Sequence, residues 1–205
     1  MENINHMDTT YIKKNAVLNA FKAVTKHTDN RPVLQCICFS KDGYTAATDS
    51  HVLLKVDETH DKTDHDFLYN LQTGLPAAGN YPGVDRLIPE DSGVHAVISA
   101  KNLAGLSAWL KPLKESNVTL TFDDGVTLIT DNGSYTVPSE LSREDLLKDF
   151  KLTVNASYLN IAVTLFNALK ASPVISFSEG LNNLSPFTVT YDQFTFLICP
   201  VRVPK

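Results

Sequence analysis

The stretch Leu152-Thr153-Val154-Asn155-Ala156-Ser157-Tyr158-Leu159-Asn160-Ile161-Ala162-Val163-Thr164-Leu165-Phe166-Asn167-Ala168-Leu169-Lys170 reads as two elements joined at one polar residue. A strand ends at Val154 and meets Asn155. Beyond it, Leu159, Ala162, Phe166 and Leu169 recur at helical spacing and face one way. Val174 to Phe177 and Phe187 to Thr190 follow as strands, and Phe194 to Val201 reads as a final apolar strand. The plan is therefore a short strand, a small polar step, an amphipathic helix and then a strand hairpin.

The same plan recurs upstream, so the chain is an internal repeat. A copy runs from about Val94 to Asp131. Val97-Ile98 ends a strand, Ser99 is placed to cap a helix, and Leu103, Leu106 and Leu110 form the apolar stripe. Pro112 ends that helix or breaks its last turn. Val118 to Phe122 then alternates as a strand, and Asp124-Gly125 turns it into Val126 to Thr130. The first copy runs from about Tyr11 to Ala47. Val17, Phe21 and Val24 make its helical stripe, strand residues span Val33 to Phe39, and Lys41-Asp42-Gly43 makes the turn.

A fourth copy, expected between the first two, is absent. Residues 57–66 are strongly acidic and read as a solvated loop, Phe67 to Leu71 as a helical turn, and Leu75 to Pro82 as turn-rich. The fold class is α+β, with helices on one face of antiparallel sheets. The chain divides into a reduced unit, 1–92, and a complete double unit, 93–205.

The composition fits a water-soluble globular chain of 205 residues, with 43% hydrophobic and 20% charged. No apolar run approaches the ~20 residues that span a bilayer, and Met1 to Thr10 has no apolar signal core. These features predict a cytoplasmic protein with no membrane association. The net charge of −5 neither requires nor forbids nucleic acid, because an acidic chain can confine positive charge to one face. Cys36, Cys38 and Cys199 lack the spacing of a disulfide framework or a metal site, and read as buried thiols. No Gly-rich phosphate loop or nucleophile motif is present.

Several short segments, in order, resemble the bacterial DNA polymerase III beta subunit family, the DNA sliding clamps. Ala47-Thr48-Asp49-Ser50-His51-Val52-Leu53 resembles the clamp signature Ala-Thr-Asp-Gly-His-Arg-Leu. Tyr81-Pro82-Gly83-Val84-Asp85-Arg86-Leu87-Ile88-Pro89 resembles the aromatic-Pro-x-x-x-Arg-hydrophobic-hydrophobic-Pro segment. Asn155 to Leu159 and Asn167 to Lys170 resemble the two ends of the last clamp helix. Ser185-Pro186-Phe187 and Leu197 to Arg202 resemble the C-terminal strands. The resemblance covers the family's second and third domains only. It implies the DNA-clamp fold, repeated strand-helix-strand units with helices lining the inside of a ring, and a processivity factor that is not an enzyme and needs no cofactor or metal.

The resemblance also implies a groove that captures short clamp-binding peptides of DNA polymerase, clamp loader or repair proteins. Such a groove needs a greasy slot for an anchor side chain and polar groups that orient the peptide backbone. The matching positions are Leu34, Thr48, His51, Leu53, Pro82, Arg86, Leu87, Asn155, Tyr158, Pro186, Leu197, Ile198, Pro200, Val201 and Arg202. Leu34, Leu53, Leu87, Leu197 and Ile198 would be apolar walls; Asn155, Arg86, His51 and Arg202 would be donors. Outside the resemblance, Leu34, Leu53 and Leu197 read as ordinary core and His51 as a structural histidine. Two positions depart from the family. Ser50 replaces the signature Gly, removing a positive-φ option, and Val52 replaces Arg, removing a charged donor.

Double-stranded DNA is a second expected partner. Diffuse phosphate attraction would fall to Lys14, Lys22, Lys26, Arg31, Lys101, Lys111, Lys114 and Lys170, residues that equally fit solvated helix faces. A ring of this family holds six domains, so three copies of this chain would match the count. The alternatives are a peptide-binding module without a ring, of phage or plasmid origin, that recruits or sequesters replication proteins, and a divalent-ion site at His60, Asp61, Asp64, His65 and Asp66.

Overall fold

The structure is a computed structural model that describes residues 4–26, 31–113 and 116–202, with side chains from residue 14 onward. Helix α1 (Ile4–Thr25) leads through a 3₁₀ turn (Pro32–Gln35) into β1 (Cys36–Phe39), β2 (Thr45–Thr48) and β3 (Val52–Val56). Two further strands close the first half, β4 (Phe67–Asn70) and β5 (Leu75–Ala77), and a 3₁₀ turn (Asp85–Leu87) lies in the connector. The second half contains β6 (Asp91–Ile98), α2 (Ala100–Leu110), β7 (Asn117–Thr121), β8 (Val126–Thr130), β9 (Gly133–Val137) and β10 (Ser139–Leu141). It ends with α3 (Glu144–Leu147), β11 (Leu152–Asn155), α4 (Ala156–Leu169), β12 (Val174–Ser178), β13 (Phe187–Tyr191) and β14 (Phe194–Ile198).

The strands form two antiparallel sheets. One has the order β11-β7-β8-β9. The other has ten strands, in the order β10-β6-β12-β13-β14-β3-β2-β1-β4-β5, and runs without a break through both halves. The joint is the β14–β3 pair, in which Leu197 faces Leu53 and Ile198 faces Val52. The helices pack against each other in the order α1, α4, α2. One apolar core lies between helices and sheets, from Val24 of α1 through Leu103, Leu106 and Leu110 of α2 to Phe166 of α4. Each such fully buried side chain contributes about 1.5–3 kcal/mol over its exposed state.

The helices start and stop where local chemistry dictates. Asn155 is the N-cap of α4, its side-chain oxygen accepting the Ser157 N–H at 2.8 Å. Lys170 ends α4 in the left-handed conformation, its N–H bonding back to the last turn. Ser99 occupies the N-cap position of α2 but makes no capping bond; instead the Ala100 N–H donates to Ser172. The two Asp-Gly turns form as expected, with φ of 96° at Gly43 and 124° at Gly125. A Cβ at Gly125 would sit 2.6 Å from the Val137 carbonyl oxygen, so that turn admits only glycine.

The first half departs from the sequence expectation in three places. Residues Pro32–Gln35 form a 3₁₀ turn, so the strand begins only at Cys36; Pro32 at the head of the turn supplies no N–H to a ladder. Phe67–Asn70 is a strand, not a helical turn: it pairs along β1 from Cys36↔Asn70 to Phe39↔Phe67. Part of the turn-rich stretch is also a strand, β5 pairing with β4. A fourth element set is thus present in vestige. The order β4-β1-β2-β3 repeats β11-β7-β8-β9, with β4 in the place of β11. Even the closing asparagine recurs, since Asn70 accepts the N–H groups of Gln72 and Thr73 much as Asn155 accepts that of Ser157. After Asn155 a helix follows; after Asn70 the chain turns into β5.

The acidic loop is also more structured than its composition suggests. His60 bonds through its two ring nitrogens to Ser40 O and Thr59 Oγ1, both at 2.8 Å, and Asp66 accepts the Lys41 N–H. These contacts tie the loop to the β1–β2 turn.

Candidate functional site

The β14–β3 joint builds a second, smaller apolar cluster on the sheet face opposite the main core. Strand alternation explains it. Val52 and Ile198 point into the main core, whereas Leu53 and Leu197 point the other way and meet Ala46 and Val84. Tyr44, Tyr81, Ile88 and Cys199 complete this cluster. Leu53 and Leu197, both buried, thus lie together in this smaller cluster, whereas Ile198, one residue out of phase, lies in the main core.

Tyr81 was absent from the expected site residues and is the keystone of this cluster. Its ring packs against both the Leu53–Leu197 cluster and the neighbouring Cys36–Cys38–Leu68 cluster. Its hydroxyl accepts the Thr48 N–H at 3.0 Å and donates to the Cys36 carbonyl at 3.4 Å. β1 and β2 pair at Cys38↔Ala46, so Cys36 and Thr48 would form the next rung two residues on. The phenol stands between them and substitutes for that rung. Burial pushes the Tyr81 hydroxyl well above its usual range, so it stays protonated and able to donate. The sequence signal for it was the aromatic residue preceding Pro82.

The β2–β3 loop forms one rim. Asp49 has only 4% of its side chain exposed and accepts the N–H groups of His51 and Val52, both at 2.8 Å. Ser50 has a φ of +84°, so the backbone keeps the left-handed conformation despite losing the glycine; the substitution carries strain rather than a new backbone path. Thr48 steadies the same loop, its hydroxyl donating to Val52 O and accepting the Ser50 N–H. The His51 side chain is 68% exposed and its ring stacks on that of Tyr158, with centroids 6.1 Å apart. Tyr158 lies in the first turn of α4, so this stack brings the two halves of the chain together above the joint.

The C-terminal tail forms the next rim. β14 ends at Ile198, three residues earlier than expected, and the chain then runs between the halves. The Cys199 N–H donates to His51 O and the Val201 N–H to Thr153 O of β11. Pro200 and Val201 are half-buried, and Arg202 is exposed. Phe187 pairs with Ile198, so Pro186 stands beside the tail where it leaves the sheet. Burial, with the nearby Asp49 carboxylate, raises the Cys199 thiol above its ordinary range.

The connector supplies the third rim. Pro82, Arg86 and Leu87 are exposed there, while Val84 and Ile88 dip into the smaller cluster. Lys55 pins the connector to β3, its Nζ lying 2.8 Å from Asp85 and 2.9 Å from Asp57, and 4.6 Å from the centroid of the Tyr44 ring. Burial alone would lower the Lys55 pKa, but the bonds to Asp85 and Asp57 outweigh it and hold the ammonium above its ordinary value.

Of the expected site residues, Leu34 is buried in the 3₁₀ turn and belongs to none of the three apolar clusters. Asn155 caps α4 through its side-chain oxygen. Of the expected DNA contacts, Lys14, Lys22, Lys26, Lys101, Lys111 and Lys170 are exposed, and Lys114 lies outside the described residues. Lys22, Lys111 and Lys170 stand at helix C-terminal ends, where a cation is favoured by the helix dipole alone. Arg31 is not on the helix face; its guanidinium donates to Ser50 Oγ of the β2–β3 loop at 2.7 Å.

No family model matches the sequence, and no curated protein sequence matches it. Solved structures do match its fold. The beta chain of DNA polymerase III from Streptococcus pneumoniae is 21% identical with a TM-score of 0.70, over 95% of this chain and 63% of that one. A DNA polymerase sliding clamp from Pseudomonas aeruginosa, solved with ligand, is 14% identical with a TM-score of 0.72, over 92% and 64%. A sliding clamp from Bartonella birtlesii bound to griselimycin is 15% identical with a TM-score of 0.66, over 95% and 64%. The chain therefore has the DNA sliding-clamp fold and spans slightly less than two thirds of the length of the clamps it matches.

Proposed function

We propose that this protein captures short clamp-binding peptides of replication or repair partners in the groove above the β14–β3 joint. The observation that carries the reading is that joint itself, which buries Leu53 against Leu197 as a fixed apolar base and stacks the exposed His51 of the first half on Tyr158 of the second. Leu87, Pro200 and Val201 offer further apolar surface, and Arg86, Arg202, Arg31 and His51 offer donors to a peptide backbone or carboxylate. A sliding clamp of this fold bound to griselimycin supports ligand capture by the fold.

Titration of a fluorescently labelled clamp-binding peptide tests the reading. Arg86→Ala removes an exposed group and Tyr158→Ala a half-buried one, and each should weaken binding about tenfold, the size of a moderate interface residue, with the fold of the Tyr158 variant checked by circular dichroism. Arg202→Ala probes the tail; deleting residues 197–205 would instead pull Leu197 and Ile198 out of the sheet. Absence of binding by the native chain at high-micromolar concentration refutes the proposal.

Whether the groove works on a DNA-encircling ring or alone is a separate matter, and one observation favours the module without a ring. Inside the chain β3 is completed by β14, and β9 holds the equivalent place at the edge of the second sheet, with no strand beyond it among the described residues. Another copy cannot complete it in the same way, because its β14 is already flanked by β13 and β3. Processive clamping with the exposed lysines facing DNA would require a trimer of six domains. A trimer in solution supports it; a monomer or dimer excludes it.

A further inference from the structure

We infer that two copies of this chain pair through the open flank of the first half, each copy's α1 lying where the other lacks a helix. The internal repeat shows what belongs there. In the complete half, the helix after β11 packs on α2 and shields the inner face of β11, leaving Leu152 and Val154 at 2% and 0% exposure. In the first half no helix follows β4, whose sheet position is that of β11. Its Phe67 is 46% exposed, and Tyr69 and Phe39 beside it are only half-buried. The Phe67 ring contacts both neighbours, with its centroid 6.0 Å from that of Phe39 and 6.5 Å from that of Tyr69. Leu18 of α1 is 38% exposed and Tyr191 44%. Between them lies an apolar recess of about 680 Å³, floored by Phe21, Ile37, Phe39, Val56 and Phe194.

The walls of that recess differ in charge, which selects its occupant. α1 contributes Lys14, which is exposed. The opposite wall contributes Glu58 and Asp192, neighbours because the Asp57 N–H donates to Gln193 O. A second copy related by a two-fold axis running along α1, in the plane of contact, sets each basic wall over the other's acidic wall. An axis across α1 would set like over like and repel. In the favoured pairing, Lys14 lies over the partner's Glu58 and the partner's Asp192. The partner's α1 brings Leu18 onto the Phe39–Phe67 face, as α4 covers β11 within the chain. The pairing is independent of peptide capture and leaves both grooves free.

Sedimentation velocity on the full chain, at concentrations up to about 100 μM, reads the assembly directly. The expected species has twice the 22.6 kDa of one chain. Leu18→Glu and Phe67→Glu change exposed side chains, so the fold, checked by circular dichroism, persists while the dimer weakens at least about tenfold. Lys14→Glu and Glu58→Lys should each weaken it, and the double exchange should restore it, because every such contact is made twice across the axis. A chain that stays monomeric throughout, a trimer, or a dimer indifferent to all four changes overturns the inference. A dimer that fails to bind peptide refutes only the proposed function.

Discussion

Replacing Tyr81 by phenylalanine removes one oxygen and little else, which makes its expected cost calculable. The ring keeps its contacts with Leu53, Leu197, Cys36 and Leu68. The Thr48 N–H loses a partner at 3.0 Å and the Cys36 carbonyl loses one at 3.4 Å. Both residues are buried, at 4% and 0% exposure, so solvent does not readily replace the hydroxyl. A buried backbone group left unsatisfied costs about 1–3 kcal/mol. The 3.4 Å contact is weak and adds little, so the sum is about 2 kcal/mol. For a chain of this size that corresponds to a fall of about 4–8 °C in Tm. In urea unfolding the midpoint should drop with no change in slope, because the exposed area is unaltered. The Thr48 amide should also exchange faster with deuterium than its neighbours in β2. A stability change below about 0.5 kcal/mol, within the range of ordinary surface substitutions, would refute the idea that the phenol replaces a ladder rung.

Three further outcomes are expected. Ser50→Gly relieves the strain of a φ of +84° and should stabilise by about 0.5–1 kcal/mol by urea unfolding, since only an exposed bond to Arg31 is lost; a destabilised variant would mean that the Arg31 contact dominates the loop. Asp49→Ala removes a sequestered carboxylate that holds two backbone N–H groups at 2.8 Å, and should cost about 2–3 kcal/mol and loosen the His51–Tyr158 stack, readable as a Tyr158 chemical-shift change. The thiols should resist alkylation in the folded chain at pH 8: burial, aided by Asp66, pushes Cys38 up to about 12, and burial raises Cys36 and Cys199 as well. Because the folded chain retains the Cys38 proton that the unfolded chain releases near 9.0, stability should fall as pH rises from there towards 12. Rapid stoichiometric labelling, or stability flat across that window, would contradict the buried placement.

Much of this fold was legible from periodicity. Helical spacing in α2 and α4, the Asp-Gly turns and the repeated strand-helix-hairpin order all rest on contacts within a few residues, which local sequence encodes. Phe67 to Leu71 reads as a helical turn because so short a run has no period of its own; the strand character of Phe67–Asn70 comes from pairing with β1, some thirty residues earlier. The same limit hid Tyr81. Nothing in its neighbours announces that its hydroxyl will reach a gap between two distant strands. The left-handed Ser50 shows the converse, a local preference for glycine overruled by Asp49, Thr48 and Arg31 acting together.

The groove divides along the same line. The resemblance to the clamp family implied that Leu53, Leu197, His51, Tyr158, Arg86 and the tail share one region. Only the register of β14 against β3 decided that Leu197 joins the Leu53–Val84 cluster while Ile198 enters the main core, because one step along a strand reverses the side chain. Likewise, the sequence by itself determined that a fourth repeat is reduced, since its helical stripe is missing. That β4 persists in the place of β11, and that its inner face lies open beside α1, was decided by tertiary structure alone, because long-range strand pairing and shared burial are properties of the assembled sheet.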